Sequence, residues 1–92
     1  MSKQEAIALC LRHFSQEPVI RRIEADVRAE EDDELEIDLT FLVDGDLYDA
    51  ETRVIPLVTD LMVSREDLLL EFMILPAETR RHGSGTVIYE RP

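Results

Sequence analysis

Apolar residues recur along this chain with two different periods, and the change of period marks the elements. Ile7, Cys10, Leu11 and Phe14 repeat at helical spacing. Ser2 precedes them and Glu5 follows it by three. This is the capping-box arrangement, in which the serine hydroxyl and the glutamate carboxylate each satisfy a free backbone N–H. Pro18 stops the run, because the residue before a proline is disfavoured in the helical region. The spacing predicts a helix over residues 3–15. Beyond it the period falls to two. Ile23, Ala25, Val27 and Ala29 alternate with Arg22, Glu24, Asp26 and Arg28, which predicts a half-buried strand over 19–29. Leu35, Ile37, Leu39 and Phe41 alternate with Glu36, Asp38 and Thr40, predicting a second strand over 35–43. The two strands are expected to pair as an antiparallel hairpin turned by the acidic run between them. Asp44-Gly45-Asp46 supplies turn chemistry at the end of the second strand.

Helical spacing returns with Leu47, Ala50, Val54, Leu57, Val58 and Leu61, so a second helix is expected over 48–63. Pro56 opposes it, since an internal proline removes a hydrogen bond and costs roughly 3 kcal/mol. The helix either kinks or restarts there, or residues 52–58 form an edge strand, where proline is tolerated. Residues 68–75 are apolar apart from Glu71, the pattern of a central strand buried on both faces. Pro76 ends it, Gly83-Ser84-Gly85 reads as a flexible break, and residues 86–89 have the composition of a short last strand. The order α-β-β-α-β-β describes one α+β domain over 1–92, a small mixed or antiparallel sheet with helices on one face. Its uncovered face would show Glu36, Asp38, Thr40 and Leu42. Beside them would lie either Leu69, Glu71, Met73 and Leu75, or Leu70, Phe72 and Ile74. Either set exposes large apolar groups, as interfaces do.

Charge sharpens this picture. The 92 residues carry 10 lysines and arginines against 21 aspartates and glutamates, a net charge of −11. Residues 24–51 hold all of the excess. They contain thirteen acids against the single base Arg28, and the centre is Glu30-Glu31-Asp32-Asp33-Glu34. Five adjacent carboxylates repel one another and call for solvent or a cation. Their contiguity suits a solvated hairpin loop better than the alternating ligands of a calcium loop. So acidic a domain is a poor general binder of nucleic acid. No apolar run is long enough to span a membrane. Residues 1–14 lack the apolar stretch and cleavage site of a signal peptide. Cys10 has no second cysteine to bridge, and with His13 and His82 it makes no zinc pattern. These features lead us to expect a cytoplasmic protein. Cys10 and His13 are expected to pack within the first helix.

The strings Leu35-Glu36-Ile37-Asp38-Leu39 and Phe41-Leu42-Val43-Asp44-Gly45 resemble the catalytic strand of the minimal nucleotidyltransferase domain of the DNA polymerase beta-like superfamily. The helix over 48–61 is similar to the one that follows that strand, and residues 68–75 to the strand that bears the third carboxylate. The tail from Arg80 to Glu90 is similar to the family's usual ending. The resemblance spans nearly the whole chain, with Glu36-x-Asp38 as its partial motif. It implies a metal site of Glu36, Asp38 and Glu71 holding Mg²⁺. Nucleotidyl transfer uses two divalent cations about 4 Å apart, and alternate residues on a strand present two oxygen ligands to one face. The chain departs from the family in two ways. Glu36 replaces the first aspartate. The family's Gly-Ser turn for the nucleotide phosphates corresponds here to Ile23-Glu24-Ala25-Asp26-Val27-Arg28-Ala29-Glu30, which has no glycine. Without glycine a backbone does not approach phosphates closely.

Three functions follow. The leading expectation is a non-catalytic protein-interaction module on a degenerate nucleotidyltransferase-like fold, homodimeric and with no bound cofactor. The second is a metal-dependent nucleotidyltransferase that uses Glu36, Asp38 and Glu71. The third is an acidic mimic of nucleic acid that occupies a basic partner. On the bland reading, Glu36 and Asp38 are the solvent side of an amphipathic strand, and Glu71 pairs with Arg22, Arg28 or Arg53 or faces solvent. Arg80, Arg81 and His82 are a solvated turn, or else dock onto the acidic stretch of a second copy.

Overall fold

The computed structural model describes residues 1–31, 34–79 and 85–91, apart from the side chains of Ala29 and Glu31. Arg80, Arg81 and His82, and Asp32 and Asp33 at the centre of the acidic run, lie outside the described residues. The elements follow in the order α1 (Lys3–Phe14), β1 (Ile20–Glu31), β2 (Glu34–Val43), α2 (Leu47–Ser64), β3 (Leu68–Pro76) and β4 (Thr86–Glu90). The protein is an α+β fold with two helices and a four-stranded mixed sheet of order β3-β2-β1-β4. β1 pairs antiparallel with β2 and with β4, whereas β3 runs parallel to β2.

Each helix begins where a side chain replaces missing backbone partners. Ser2 Oγ accepts from the Glu5 N–H at 3.1 Å, and Asp46 Oδ2 accepts from the Asp49 N–H at 3.1 Å. Gly45 makes the turn into α2 at φ 78°, a left-handed conformation that costs a residue with a Cβ about 1 kcal/mol or more. Pro56 neither kinks α2 into two helices nor makes a strand of 52–58. The helix runs through it, with Pro56 on the exposed side. The carbonyl four residues earlier, on Thr52, also lies on an exposed residue, where water takes the place of the lost donor.

The core is the layer between the helices and one face of the sheet. Ala6, Cys10 and Phe14 of α1 and Ala50, Val54, Val58 and Leu61 of α2 meet Ile20, Ile23, Leu35, Ile37, Leu39, Phe41, Val43, Leu68 and Leu70. Phe41 is fully buried at its centre, 4.9 Å from Phe14 and 6.4 Å from Phe72 between ring centroids, both edge to face. Burial of one such ring contributes about 2–3 kcal/mol, with a further ~1 kcal/mol from each well-angled aromatic pair. His13 joins the helices: its Nε2 donates to the Leu57 carbonyl at 2.7 Å. His13 and Cys10 are thus packing residues, as their place on α1 predicts.

Two sequence expectations are corrected. β3 is an edge strand rather than a central strand buried on both faces. It pairs with β2 alone, and Leu69, Phe72 and Met73 stay 46%, 36% and 42% exposed. The run of apolar residues looked central because both faces carry them. The alternation in β1 is also broken. The register shifts between Ile20 and Arg22 and again between Val27 and Ala29, so Ala29 stands opposite Glu36. A bulge of this kind moves every later residue to the other face.

Candidate functional site

The face of the sheet turned away from the helices collects the polar side chains of β1 and β2 and the alternate residues of β3. Cross-strand register arranges them in rows. Glu90, Arg22, Leu42 and Leu75 form one row, and Val87, Glu24, Thr40 and Met73 the next. Asp26, Asp38 and Glu71 form the third, and Ala29, Glu36 and Leu69 the last. The sheet therefore brings Glu36, Asp38 and Glu71 to one face and sets Asp38 directly opposite Glu71. Among the described residues, no group of three or more histidine, cysteine, aspartate and glutamate side chains is arranged to hold a metal ion.

The arginines of this face go elsewhere than to Glu71. Arg22 Nη2 lies 3.2 Å from Glu24 Oε2 and Arg22 Nη1 lies 3.8 Å from Glu90 Oε2. Arg28 Nη1 lies 3.4 Å from Asp38 Oδ2, and Arg53 pairs with Glu17 beside α1. Glu71 is exposed and has no ion pair among the described residues, the solvent-facing alternative of its two expected fates. Glu24 is the buried acid of the fold at 4% exposure. Its position between Val87 and Thr40 forces it under neighbouring side chains, and Arg22 supplies the charge that makes burial tolerable. Arg22 Nε is itself buried without a hydrogen-bond partner among the described residues.

Of the described acids of residues 24–51, Asp26, Glu36 and Asp38 lie along the sheet face turned away from the helices. Glu30 and Glu34 sit at the tip of the β1–β2 hairpin. Asp44, Asp46 and Asp49 sit at the other end of β2, roughly 30 Å away at the usual strand rise. Asp44 is neutralised by Arg21 and Arg91, and Asp46 is used as the cap of α2. Arg21 and Arg91, with Arg22, Leu42, Ala77 and Glu90, line a cleft of about 260 Å³ that sets three arginines against one glutamate.

Residues 23–30, where the resemblance would place a nucleotide cradle, lie within β1. Ile23, Glu24 and Ala25 are flanked by β2 on one side and β4 on the other. Their backbone groups belong to the sheet ladder and are not turned toward a ligand. Gly85 is the one glycine of the Gly-Ser-Gly string within the described residues. It is a close-contact position rather than a hinge: a Cβ there would meet the Ala25 carbonyl oxygen at 3.0 Å.

Apolar exposure is concentrated elsewhere. Of the large apolar side chains left in solvent, Leu69 and Met73 stand on the outer face of β3 and Phe72 on its helix face, Val87 stands on β4, and Leu47, Tyr48, Ile55 and Val63 stand on α2. Sequence reading anticipated an apolar surface on the third strand, on one face or the other. It missed the contribution of α2, whose signal is the seven-residue spacing of Tyr48, Ile55 and Met62. Searches of protein-family models, of curated proteins and of solved structures find nothing that matches this chain. Among the described residues, no helix is long and apolar enough to cross a membrane. The class defined by the fold is a small α+β domain with a four-stranded mixed sheet and an apolar edge strand.

Proposed function

We propose that this protein is a non-catalytic interaction module that binds protein through β3 and its surroundings, on a degenerate nucleotidyltransferase-like scaffold. The observation that carries the reading is the exposure of Leu69, Phe72 and Met73 on one nine-residue strand. Each large apolar side chain left in water forgoes about 1 kcal/mol or more that a partner would recover. Two further features favour binding over chemistry. Residues 23–30 contain no glycine, and 23–25 run between β2 and β4. The adjacent tip carries Glu30 and Glu34, which repel a triphosphate. Sedimentation and affinity capture test the reading together. Self-association or a partner whose binding is lost on Leu69→Lys supports it, and a monomer that captures nothing overturns it.

The metal-dependent alternative draws on one observation, the register that sets Asp38 opposite Glu71 with Glu36 on the same face. Glu36, Asp38 and Glu71 would hold Mg²⁺, which would polarise a nucleotide phosphate. Titration calorimetry with Mg²⁺ and ATP decides it: heat that disappears in Asp38→Asn and Glu71→Gln favours the enzyme, and no heat removes it.

A further inference from the structure

Among the described residues, β3 ends the sheet with an unusually unprotected edge. Natural edge strands are kept short, charged, bulged or covered, because their free N–H and C=O groups pair with any strand that approaches. β4 is five residues long, and the part of β1 that extends beyond β4 is acidic. β3 has nine residues, no register shift against β2 and one charge, Glu71. The flank of α2 that overhangs it is apolar as well. α1 lies against the Arg53–Leu57 side of α2, through Arg53–Glu17 and His13–Leu57. At 100° per residue the Tyr48, Ile55 and Met62 stripe points the opposite way, past the free edge of β3. Tyr48 is 73% and Ile55 40% exposed.

We propose that this edge is the seam of a homodimer, in which β3 pairs antiparallel with β3 of a second copy about a two-fold axis at Phe72. The proposal rests on the interaction-module reading and names its partner. Three features select a second copy. A two-fold perpendicular to the sheet requires residues of the same face to meet, so the partner residue numbers add to an even total. Centring at Phe72, the midpoint of Leu68–Pro76, is the choice that pairs all nine residues. It sets Glu71 against Met73, Leu69 against Leu75 and Leu70 against Ile74, whereas centring at Glu71 would oppose two carboxylates. Second, the axis keeps both pairs of helices on one side of the sheet, so the Tyr48–Ile55–Met62 stripes of the two copies face each other above the seam. Third, a chain of net charge −11 repels its copies least where charge is sparse, and this edge carries the single charge of Glu71, which the Phe72-centred register keeps off its own copy. It also sends the two acidic hairpin tips to opposite ends. The seam would cover the nine-residue strand backbone, the facing flanks of Leu69, Phe72 and Met73, and the stripe residues Tyr48 and Ile55 above it.

The test is sedimentation of the full chain with cross-linking. The expected particle has twice the 10.6 kDa mass of one chain, and Met73→Lys weakens association on the order of a hundredfold with an unchanged circular dichroism spectrum. Oxidised Phe72→Cys forms a 72–72 disulfide in high yield, and Met73→Cys, offset from its own copy, does not. A dimer that survives Met73→Lys, or that cross-links at 73 and not at 72, overturns the seam and leaves the interaction reading standing. So does a monomer that binds another protein through Leu69. A monomer that captures nothing removes both.

Discussion

Gly45 and Gly85 are both indispensable, for different reasons, and the difference is measurable. Gly45 has a left-handed φ of 78° and open space around it, with no atom within 4 Å of a built Cβ. Gly85 needs space: its Cβ would stand 3.0, 3.1 and 3.2 Å from the carbonyl oxygen, carbonyl carbon and nitrogen of Ala25. All three are backbone atoms in the central strand, held by β2 on the far side, so no rotamer change relieves the contact. β4 must move instead. Overpacking of this kind costs about 1–3 kcal/mol, less the ~0.4–1 kcal/mol gained because alanine restricts the unfolded chain. Gly85→Ala is therefore expected to destabilise the domain by about 1–2 kcal/mol, and Gly85→Asn, which is larger, by more. At Gly45 the order reverses. Gly45→Ala costs about 1 kcal/mol, and Gly45→Asn costs less, because asparagine tolerates the left-handed region. Urea denaturation of the four variants reads these differences, and each kcal/mol lowers Tm by roughly 4–8 °C in a domain of this size. Gly85→Ala should also raise amide exchange along β4 and leave α2 protected. Wild-type stability in Gly85→Ala, or an asparagine that is better tolerated at 85 than at 45, would refute the close-contact argument.

Burial pushes the Cys10 thiol up from 9.0 to about 11. Its stabilising contribution is complete below pH 9 and is lost as pH rises through about 11, because the unfolded chain gives up the proton first. Cys10→Ala should flatten that alkaline slope in denaturation curves, and the folded wild type should resist alkylation at pH 8. The Asp67 carboxyl lies below its ordinary range, chiefly through its hydrogen bonds from Arg65. Carbon-detected NMR titration of Arg65→Gln should move its midpoint upward. His13→Ala removes the bond to the Leu57 carbonyl and should cost about 1–2 kcal/mol in denaturant unfolding, with loss of the His13–Phe14 ring contact included. Added salt should tighten the proposed dimer, since screening weakens repulsion between two chains of −11 charge. Looser association at high salt would mean that ion pairs hold the seam.

Most of the elements are legible in the chain because their causes are local, the stretch around Pro56 excepted. The 3.6-residue spacing of Ile7, Cys10 and Phe14 and the alternation of Leu35 to Phe41 each require one backbone geometry if apolar groups are to share a face. Ser2 announces the start of the first helix through a bond three residues long, whereas Asp46, read as a turn residue, proves also to cap α2. The α+β class follows from these pieces. Strand order does not, because it depends on pairings between distant segments. β3 reads as a central strand from its own residues, and its place at the edge was decided by β1 taking the other side of β2. The bulge before Ala29 is likewise a matter of register with β2, invisible to a count of alternating residues. The partners of the charged groups were also settled in three dimensions. Arg22 chose Glu24 and Glu90, Arg28 chose Asp38, and Glu71 was left to solvent on the same face. A carboxylate's neighbours are set by whichever strands lie beside it, and only the packed sheet fixes those.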